Sequence, residues 1–562
     1  MVSAQADVAT RLKRIFPRVQ ATRLGDINIL DSLEVCRDLE WVLDRWPMKI
    51  SKKDRETLTQ GANGHRAQQE RVTAVLEGRA KHASLPMTPA TGREPRDYQQ
   101  TAYDLASTTG SLLLADELGL GKTESSLLAL SDPANRPMLA VTLTGLPRQW
   151  VRELNDIFPD LRGVEVTKAK PYDLADKDGN EPDLIVMNYA KLAGWSHHLM
   201  GKVNSVVFDE VQELRREGTQ KHMAAQMVAG QSHLKMGLSA TPVYNYGGEM
   251  YSILKVLAPS LVGDKAEFGR EWCQSVYGLD PKTRIIDPPG FRHWMTDQGV
   301  FLRRTREEVG INMPPLNTQE YTIDVDSSDW KALLASSDVA QVASLILSED
   351  APHKDRWRAS GDLDWKMRHA TGVAKAPYVA EVAKLILESE EKIILAGWHR
   401  DTWNLWQEAL AAYNPVLYTG TETAAGKARS FDAFRDGDSR ILMLSLRSGA
   451  GLDGLQGACQ VVLFGELDWS PGVHKQVLGR LHRPGQELPV TGYFCVSDYG
   501  SDPAMLDALD LKKIEAEMLV NSDEEIEGKF EEIAPRTKND YLKEMAEKAI
   551  KDARGAQRKG AA

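Results

Sequence analysis

Ser111-Leu-Leu-Leu-Ala-Asp-Glu-Leu-Gly-Leu-Gly-Lys-Thr123 joins an apolar run to a glycine-rich turn, and residues 124–130 behind it have helical texture. Polyphosphate binding needs this spacing. Gly119 and Gly121 let backbone N–H groups turn inward, Lys122 reaches the terminal phosphates, and the Thr123 hydroxyl can ligate Mg²⁺. A helix N-terminus beneath the loop adds a favourable dipole. The first glycine of the common G-x-x-x-x-G-K-[ST] pattern is Asp116 here. The competing reading is an ordinary strand-turn-helix with a surface lysine, and the motifs further along the chain decide against it.

With 562 residues the chain is too long for one core, so two to four domains are expected. Its 42% hydrophobic and 27% charged residues are those of a water-soluble fold, and no long uncharged apolar run is present. Residues 1–20 lack the continuous apolar segment of a secretory signal, so a cytoplasmic protein is expected, or a nuclear one in a eukaryote. The four cysteines Cys36, Cys273, Cys459 and Cys495 form no C-x-x-C pair, which excludes a zinc ribbon and a disulfide framework and implies buried thiols. A net charge of −11 does not exclude a nucleic-acid partner, because a local basic groove suffices.

Charged helical patterns at 33–42 and 54–76 predict a helical N-terminal domain over 1–90, a packing or docking module that could take a protein partner. From Glu94 the texture becomes short apolar runs, 111–115, 138–143, 184–187, 203–208 and 235–238, separated by helix-length segments. Such runs imply a buried parallel sheet with helices on both faces, an α/β lobe over 91–262. Residues 263–371 are richer in charge and amphipathic pattern, notably 330–347, and predict a helical insertion or bridge. A second alternating series, 392–397, 416–418, 440–444 and 460–464, predicts a second α/β lobe over 372–505. The stretch 506–562 reads as a helical brace ending in a basic, disordered tail, a second place for a protein partner.

A phosphate loop that hydrolyses its nucleotide needs an acidic pair at the end of a neighbouring strand, and Val206-Val-Phe-Asp209-Glu210-Val-Gln212 supplies it. Asp209 would hold Mg²⁺ and Glu210 would orient and deprotonate the attacking water. Together, 116–123 and 209–212 resemble motifs I and II of superfamily 2 helicases (the DEAD/DEAH-type class), and specifically of the Swi/Snf-like translocases of double-stranded DNA. Other matches follow in the family's order. Arg96-Asp-Tyr98-Gln99 resembles the Q motif, which implies nucleotide contacts for Arg96 and an adenine-reading role for Gln99. Residues 142–150 with Thr144 and Trp150, and Asn188-Tyr189, resemble motifs Ia and Ib, which implies DNA-backbone contacts. Gly237-Leu-Ser239-Ala240-Thr241-Pro242, followed by Asn245, resembles motif III, implying a coupling role for Ser239, Ala240 and Thr241 and a DNA contact for Asn245. Leu302-Arg303-Arg304-Thr305 resembles a basic signature that follows the first lobe.

In the second half Gln476-Val-Leu-Gly479-Arg480-Leu-His-Arg483-Pro-Gly485-Gln486 resembles motif VI, with Asp468-Trp469-Ser470-Pro471 a family signature before it. Two arginines spaced i and i+3 on a helix share a face. Arg480 and Arg483 are therefore expected to point together at the γ-phosphate, with Arg483 the better candidate for neutralising transition-state charge. His399-Arg400, Thr419-Gly420 and Leu444-Ser445 resemble motifs IV, IVa and V, so Thr419 and Ser445, like Thr144, would grip phosphates without reading bases. Two departures stand out. Gln212 occupies the position of the usual histidine of Asp-Glu-Ala-His, and it can hydrogen-bond but does not titrate. Motif V reads Ser448-Gly-Ala-Gly451-Leu-Asp453, which leaves its ATP contact ambiguous, with Asp453 preferred and Gly451 permitting the approach.

The resemblance covers about residues 94–505 and implies two RecA-like lobes that use ATP and Mg²⁺ to move along duplex DNA with little sequence preference. It is similar to compact bacterial or phage members or to the annealing-helicase branch, which points to DNA repair, replication, recombination or phage-related metabolism. A strand-separating helicase and a non-hydrolysing ATP-dependent clamp remain the alternatives.

Overall fold

Residues 111–114 carry four apolar or small side chains in a row because both faces of their strand are covered. Leu112 and Leu114 pack into one hydrophobic cluster and Leu113 into another, on the opposite side of the sheet. The same alternation recurs in the second half, where Ile394 and Ala396 join one cluster and Ile393 and Leu395 the other. Each full burial of such a side chain contributes about 1.5–3 kcal/mol, so these runs commit the chain to parallel sheets sandwiched by helices.

The computed structural model describes residues 2–3, 12, 26–27, 32–240, 247–273, 279, 283–323, 339–348, 352–447, 452, 454–507, 509, 541, 543 and 546–547. The chain divides into two compact units, Met1–Thr305 and Arg306–Ala562. In the first, α1 (Leu33–Arg45) and α2 (Lys52–Leu76) start on the N-caps Ser32 and Ser51, whose hydroxyls accept Val35 N–H and Asp54 N–H. Val72 and Val75 of α2 enter the core of the lobe itself, and Gln68 Nε2 donates to Thr108 O at 2.7 Å. After α3 (Asp97–Thr109) come β1 (Ser111–Leu114), α4 (Lys122–Leu127), β2 (Met138–Thr142), α5 (Pro147–Ile157), β3 (Gly163–Glu165), β4 (Leu184–Asn188), β5 (Ser205–Asp209), β6 (Leu234–Leu238) and β7 (Phe301–Leu302). These seven strands form one sheet in the order β3-β4-β2-β5-β6-β1-β7, every neighbouring pair parallel.

The second unit holds a six-stranded parallel sheet. Its strands are β8 (Leu316–Ile323), β9 (Ile393–Gly397), β10 (Val416–Tyr418), β11 (Ile441–Ser445), β12 (Val461–Phe464) and β13 (Val490–Ser497), in the order β8-β13-β12-β9-β11-β10. The long helix α6 (His353–Ser389) packs beside it, and α7 (Pro471–Leu478) follows β12.

The fold class is the expected one, two parallel-sheet α/β lobes rich in helices. The stretch 263–371 is not a purely helical bridge: it supplies β7 to the first sheet and β8 to the second. Both escaped the sequence because β7 is two residues long and β8 is a polar edge strand, exposed along its length except at Ile323. Of the amphipathic stretch 330–347, Val339–Leu347 is a helix and 330–338 lies outside the described residues. Most of 506–562 lies outside them too. Among the described residues, no helix is long and apolar enough to cross a membrane.

Candidate functional site

The turn after β1 closes as the glycines require. Gly119 has φ 88° and Gly121 φ 72°, conformations that side chains disfavour, and a Cβ on Gly121 would come 2.7 Å from Gln99 Nε2. Gly121 caps α4, whose first residues are Lys122 and Thr123. Lys122 Nζ donates to the carbonyls of Asp116 at 2.6 Å and Glu117 at 3.2 Å. Burial pulls its pKa below the lysine range, against the opposing charges of Asp116, Glu210 and Asp209.

The acidic pair sits where β5 ends. Burial, reinforced by the adjacent charge of Glu210, pushes Asp209 upward, while the Trp150 indole opposes the shift by donating Nε1–H to Oδ2 at 3.4 Å. Glu210 is held in the left-handed region at φ 49°, ψ 56°, and its N–H donates to Asp209 Oδ1 at 3.0 Å. A non-glycine residue in that conformation is strained. Gln212 donates Nε2–H to Glu210 Oε2, while its Oε1 is buried with no hydrogen-bond partner among the described residues. Gln212 thus bonds Glu210 directly, through a side chain that does not titrate.

Several expected contacts are reassigned by the structure. Asp116 does not offer its carboxylate to a nucleotide: it is fully buried and clasped by Arg304, with Nη2 to Oδ2 at 2.6 Å, Nε to Oδ1 at 3.1 Å and the backbone N–H to Oδ1 at 3.0 Å. Gln99 spends both ends of its amide, accepting Arg96 N–H at 2.8 Å and donating to Glu124 Oε2 at 2.8 Å, so it buttresses the loop beside Gly121. Arg96 is exposed and donates to Tyr98 Oη at 3.1 Å. Trp150 is only 2% exposed and lies under Asp209, which rules it out as a surface contact to DNA. Tyr189 is likewise buried, its hydroxyl donating to Asp209 O at 2.8 Å. It does line an open groove of about 670 Å³ together with exposed Thr144, Leu143, Glu213 and Lys221. Ser239 is buried at the end of β6, its N–H donating to Leu114 O at 3.1 Å, and Ala240 follows it, half-buried. Thr241, Asn245, Gly451 and Asp453 lie outside the described residues.

In the second unit α7 ends at Leu478, so Arg480 and Arg483 lie in the turns beyond it and do not share a helix face. Glycine at 479, followed five residues later by Pro484, stops the helix short of both. Arg483 Nε donates to Gly479 O at 2.7 Å, and burial beside Arg306 lowers its pKa to about 10, which leaves it charged at neutral pH. Thr419 is fully buried, its hydroxyl and N–H both engaged by the Glu422 carboxylate at 2.9 and 2.5 Å. Ser445 is buried at the end of β11. Thr419 therefore presents no free hydroxyl, and Ser445 is covered.

The donor chemistry fits a nucleotide with its cation. Mg²⁺ binds through one or two carboxylates, a hydroxyl and the substrate's phosphates, which makes Thr123 and Asp209 sufficient protein ligands. Among the described residues there is no cluster of three or more His, Cys, Asp or Glu that would form an all-protein metal cage.

A family model described as the SNF2-related domain matches residues 37–355, more than half of the chain. The chain belongs to the SNF2-related family. It is a Swi/Snf-like member of helicase superfamily 2. It is 24% identical over 420 residues to the mouse DNA annealing helicase and endonuclease ZRANB3, a match covering 72% of this chain and 38% of that protein. It is 24% identical over 461 residues to the uncharacterised ATP-dependent helicase YqhH of Bacillus subtilis, covering 76% of this chain and 79% of that one. The chain thus spans well under half the length of its mouse relative. Among solved structures, the Sulfolobus solfataricus SWI2/SNF2 ATPase core in complex with dsDNA aligns at a TM-score of 0.37 and 17% identity, over 84% of this chain and 99% of that one.

The residues that sequence reasoning left without a role are Arg304, Glu124 and Glu422. Arg304 alone carried a signal, the Arg303-Arg304 pair directly after an apolar dipeptide; the other two are single acids in polar surroundings.

Proposed function

We propose that this protein hydrolyses ATP to move along double-stranded DNA without reading its sequence, in DNA repair, replication, recombination or phage-related DNA metabolism, in the cytoplasm or, in a eukaryote, the nucleus. The observation that carries the reading is the position of Lys122: its ammonium rests on the loop carbonyls of Asp116 and Glu117, within electrostatic reach of Asp209 and Glu210, the two carboxylates this reading assigns to hydrolysis.

The phosphates of ATP are cradled by the loop N–H groups around Gly119 and Gly121, with Lys122 exchanging its carbonyl partners for phosphate oxygens. Thr123 and Asp209 would hold Mg²⁺, which would supply charge neutralisation when bound. Glu210, fixed by Gln212, takes the proton of the attacking water. The resemblance of 476–486 to motif VI assigns Arg480 and Arg483 to the charge that develops on the transferred group. Thr144, on the open groove beside Tyr189, is the described residue best placed to hold a DNA phosphate.

ATP turnover measured with and without duplex DNA, alongside Glu210→Gln, tests the reading. Stimulation by DNA in the wild type and its loss in the variant are expected; equal inactivity of both sinks it. Release of a triplex third strand without unwinding of a forked duplex is the expected outcome of a displacement assay, and robust fork unwinding would replace translocation with strand separation.

A further inference from the structure

The phosphate loop is paired with the last residues of the first unit. Leu113 N–H donates to Val300 O at 2.7 Å, Ala115 N–H to Leu302 O at 2.7 Å and Glu117 N–H to Arg304 O at 3.0 Å, so the β1–β7 ladder runs past both strands into the loop. The side chains repeat the connection. Arg303 Nη1 donates to Ala115 O at 3.1 Å, and the Arg304 fork holds the buried carboxylate of Asp116 while its Nη1 donates to Tyr98 O at 2.5 Å. The carbonyl of the same Asp116 accepts Lys122 Nζ. Any movement of Lys122 from that carbonyl to a phosphate alters the residue Arg304 grips.

Two residues later the second unit begins, and Arg306 is anchored as firmly inside it. Its Nη1 donates to His482 O at 3.0 Å and lies 2.7 Å from His482 Nδ1. His482 Nε2 lies 2.7 Å from Pro314 O, an oxygen that can only accept, so Nε2 carries the proton and Nδ1 accepts from Arg306. His482 stands between Arg480 and Arg483 in the turn after α7. One link, Thr305, therefore separates an arginine bound to the phosphate loop from an arginine bound to the arginine turn.

We infer that Arg304 and Arg306 are positioning residues that couple the two: Arg304 reads the state of the phosphate loop through Asp116, and Arg306 transmits it to residues 480–483 through His482. The inference rests on the ATPase reading above. It also accounts for an aspartate where phosphate loops commonly carry glycine, since glycine offers Arg304 nothing to hold. A bidentate guanidinium–carboxylate pair suits the task because its geometry is fixed in plane and direction.

Hydrogen exchange of the full chain, with and without a non-hydrolysable ATP analogue and Mg²⁺, tests the coupling. In the wild type the analogue is expected to slow exchange at both 117–124 and 480–486. The paired variant Asp116→Asn with Arg304→Gln avoids leaving a lone buried charge; it should keep analogue affinity within about threefold and protection at 117–124, and lose protection at 480–486. Arg306→Gln, which leaves the phosphate loop untouched, should lose the same distal protection. Retention of distal protection in both variants overturns the coupling. So does a loss of analogue affinity beyond about tenfold in the paired variant, which would make Arg304 a builder of the loop alone. A wild type that binds the analogue but turns over no ATP removes the ATPase reading and the coupling with it, and is told apart by the turnover assay.

Discussion

The two sheets are built alike and treat buried charge differently. Acids of the first unit divide: Asp116 is saturated by Arg304, while Asp209 at a strand end and Glu249 in the first turn of helix Gly247–Leu257 keep raised pKa values. Burial raises Asp209, burial raises Glu249 to about 7 against the pull of Arg215 and Arg216, and Glu249 Oε2 and Gln212 Oε1 have no hydrogen-bond partner among the described residues. At the strand ends of the second, acids are saturated. Glu466 accepts Trp398 N–H at 2.6 Å, His399 N–H at 2.9 Å and the His399 ring at 2.6 Å, and those bonds hold its pKa below the usual range despite burial. Asp468 accepts Arg447 Nε at 3.0 Å and Ser470 N–H at 2.9 Å. An under-satisfied carboxylate is costly to keep, and a fold retains it where a cation or a proton is to arrive. We read Asp209 and Glu249 as poised for an incoming charge, and Glu466 and Asp468 as rigid support.

The strongest test of that division is to remove one charged group from each style of site. Glu210→Gln should lower DNA-stimulated ATP turnover on the order of 10³-fold, about 4 kcal/mol at the barrier, with little change in urea stability. A variant that retains more than a tenth of wild-type turnover would move the base elsewhere. In the second lobe Lys375 Nζ meets Asp502 Oδ2 at 2.6 Å and Cys495 O at 2.7 Å, all of them buried. Lys375→Met should cost about 3 kcal/mol in urea unfolding of that lobe, the low end for a broken buried pair, because burial already raises Asp502 and lets it take up a proton. Analogue binding by the first lobe should be unchanged. A neutral effect on stability would show that the second lobe's pairs are not what supports it.

The lobes should also answer pH with opposite signs. Glu249 has a raised pKa in the folded chain, so its contribution is present below about 4.5 and is lost as pH rises toward 7. His474, whose Nε2 accepts Asp468 N–H, is pushed down to about 4 by burial, so its contribution is present above 6.5 and is lost as pH falls toward 4. Relative to wild type, Glu249→Gln should gain on the order of 1–2 kcal/mol between pH 4.5 and 7, after allowance for Glu249's partial exposure. His474→Gln should regain on the order of 2 kcal/mol as pH falls from 6.5 to 4. Unit-resolved urea melts at several pH values check both, and slopes of the same sign would remove the contrast.

How far the sequence reached follows from what each signal measures. Fully buried strands such as β1, β2 and β11 were legible because burial on both faces demands continuous apolar side chains, whereas edge strand β8, Leu-Asn-Thr-Gln-Glu-Tyr-Thr-Ile, looks polar because nothing covers it. The placement of Lys122, Thr123, Asp209 and Glu210 was legible because local spacing alone puts the first pair at a helix start and the second at a strand end. The partners of Asp116, Trp150 and Thr419 were not, since Arg304 is 188 residues from Asp116 and Trp150 is 59 from Asp209. Even the near partner Glu422, three residues from Thr419, is visible only once the turn brings its carboxylate back.

That last pair sharpens the comparison at its finest scale. Thr144 is exposed on the groove of the first lobe, while Thr419, its expected counterpart in the second, already spends its hydroxyl on Glu422. A free hydroxyl that bonds a phosphate contributes about 1 kcal/mol to binding, and one committed to an internal carboxylate contributes none. Thr144→Val should weaken duplex affinity about fivefold in fluorescence anisotropy at fixed salt, and Thr419→Val should leave it unchanged while lowering thermal stability, because Glu422 loses a donor. Equal losses of affinity would mean that DNA displaces Glu422 and that both lobes grip the backbone by the same means.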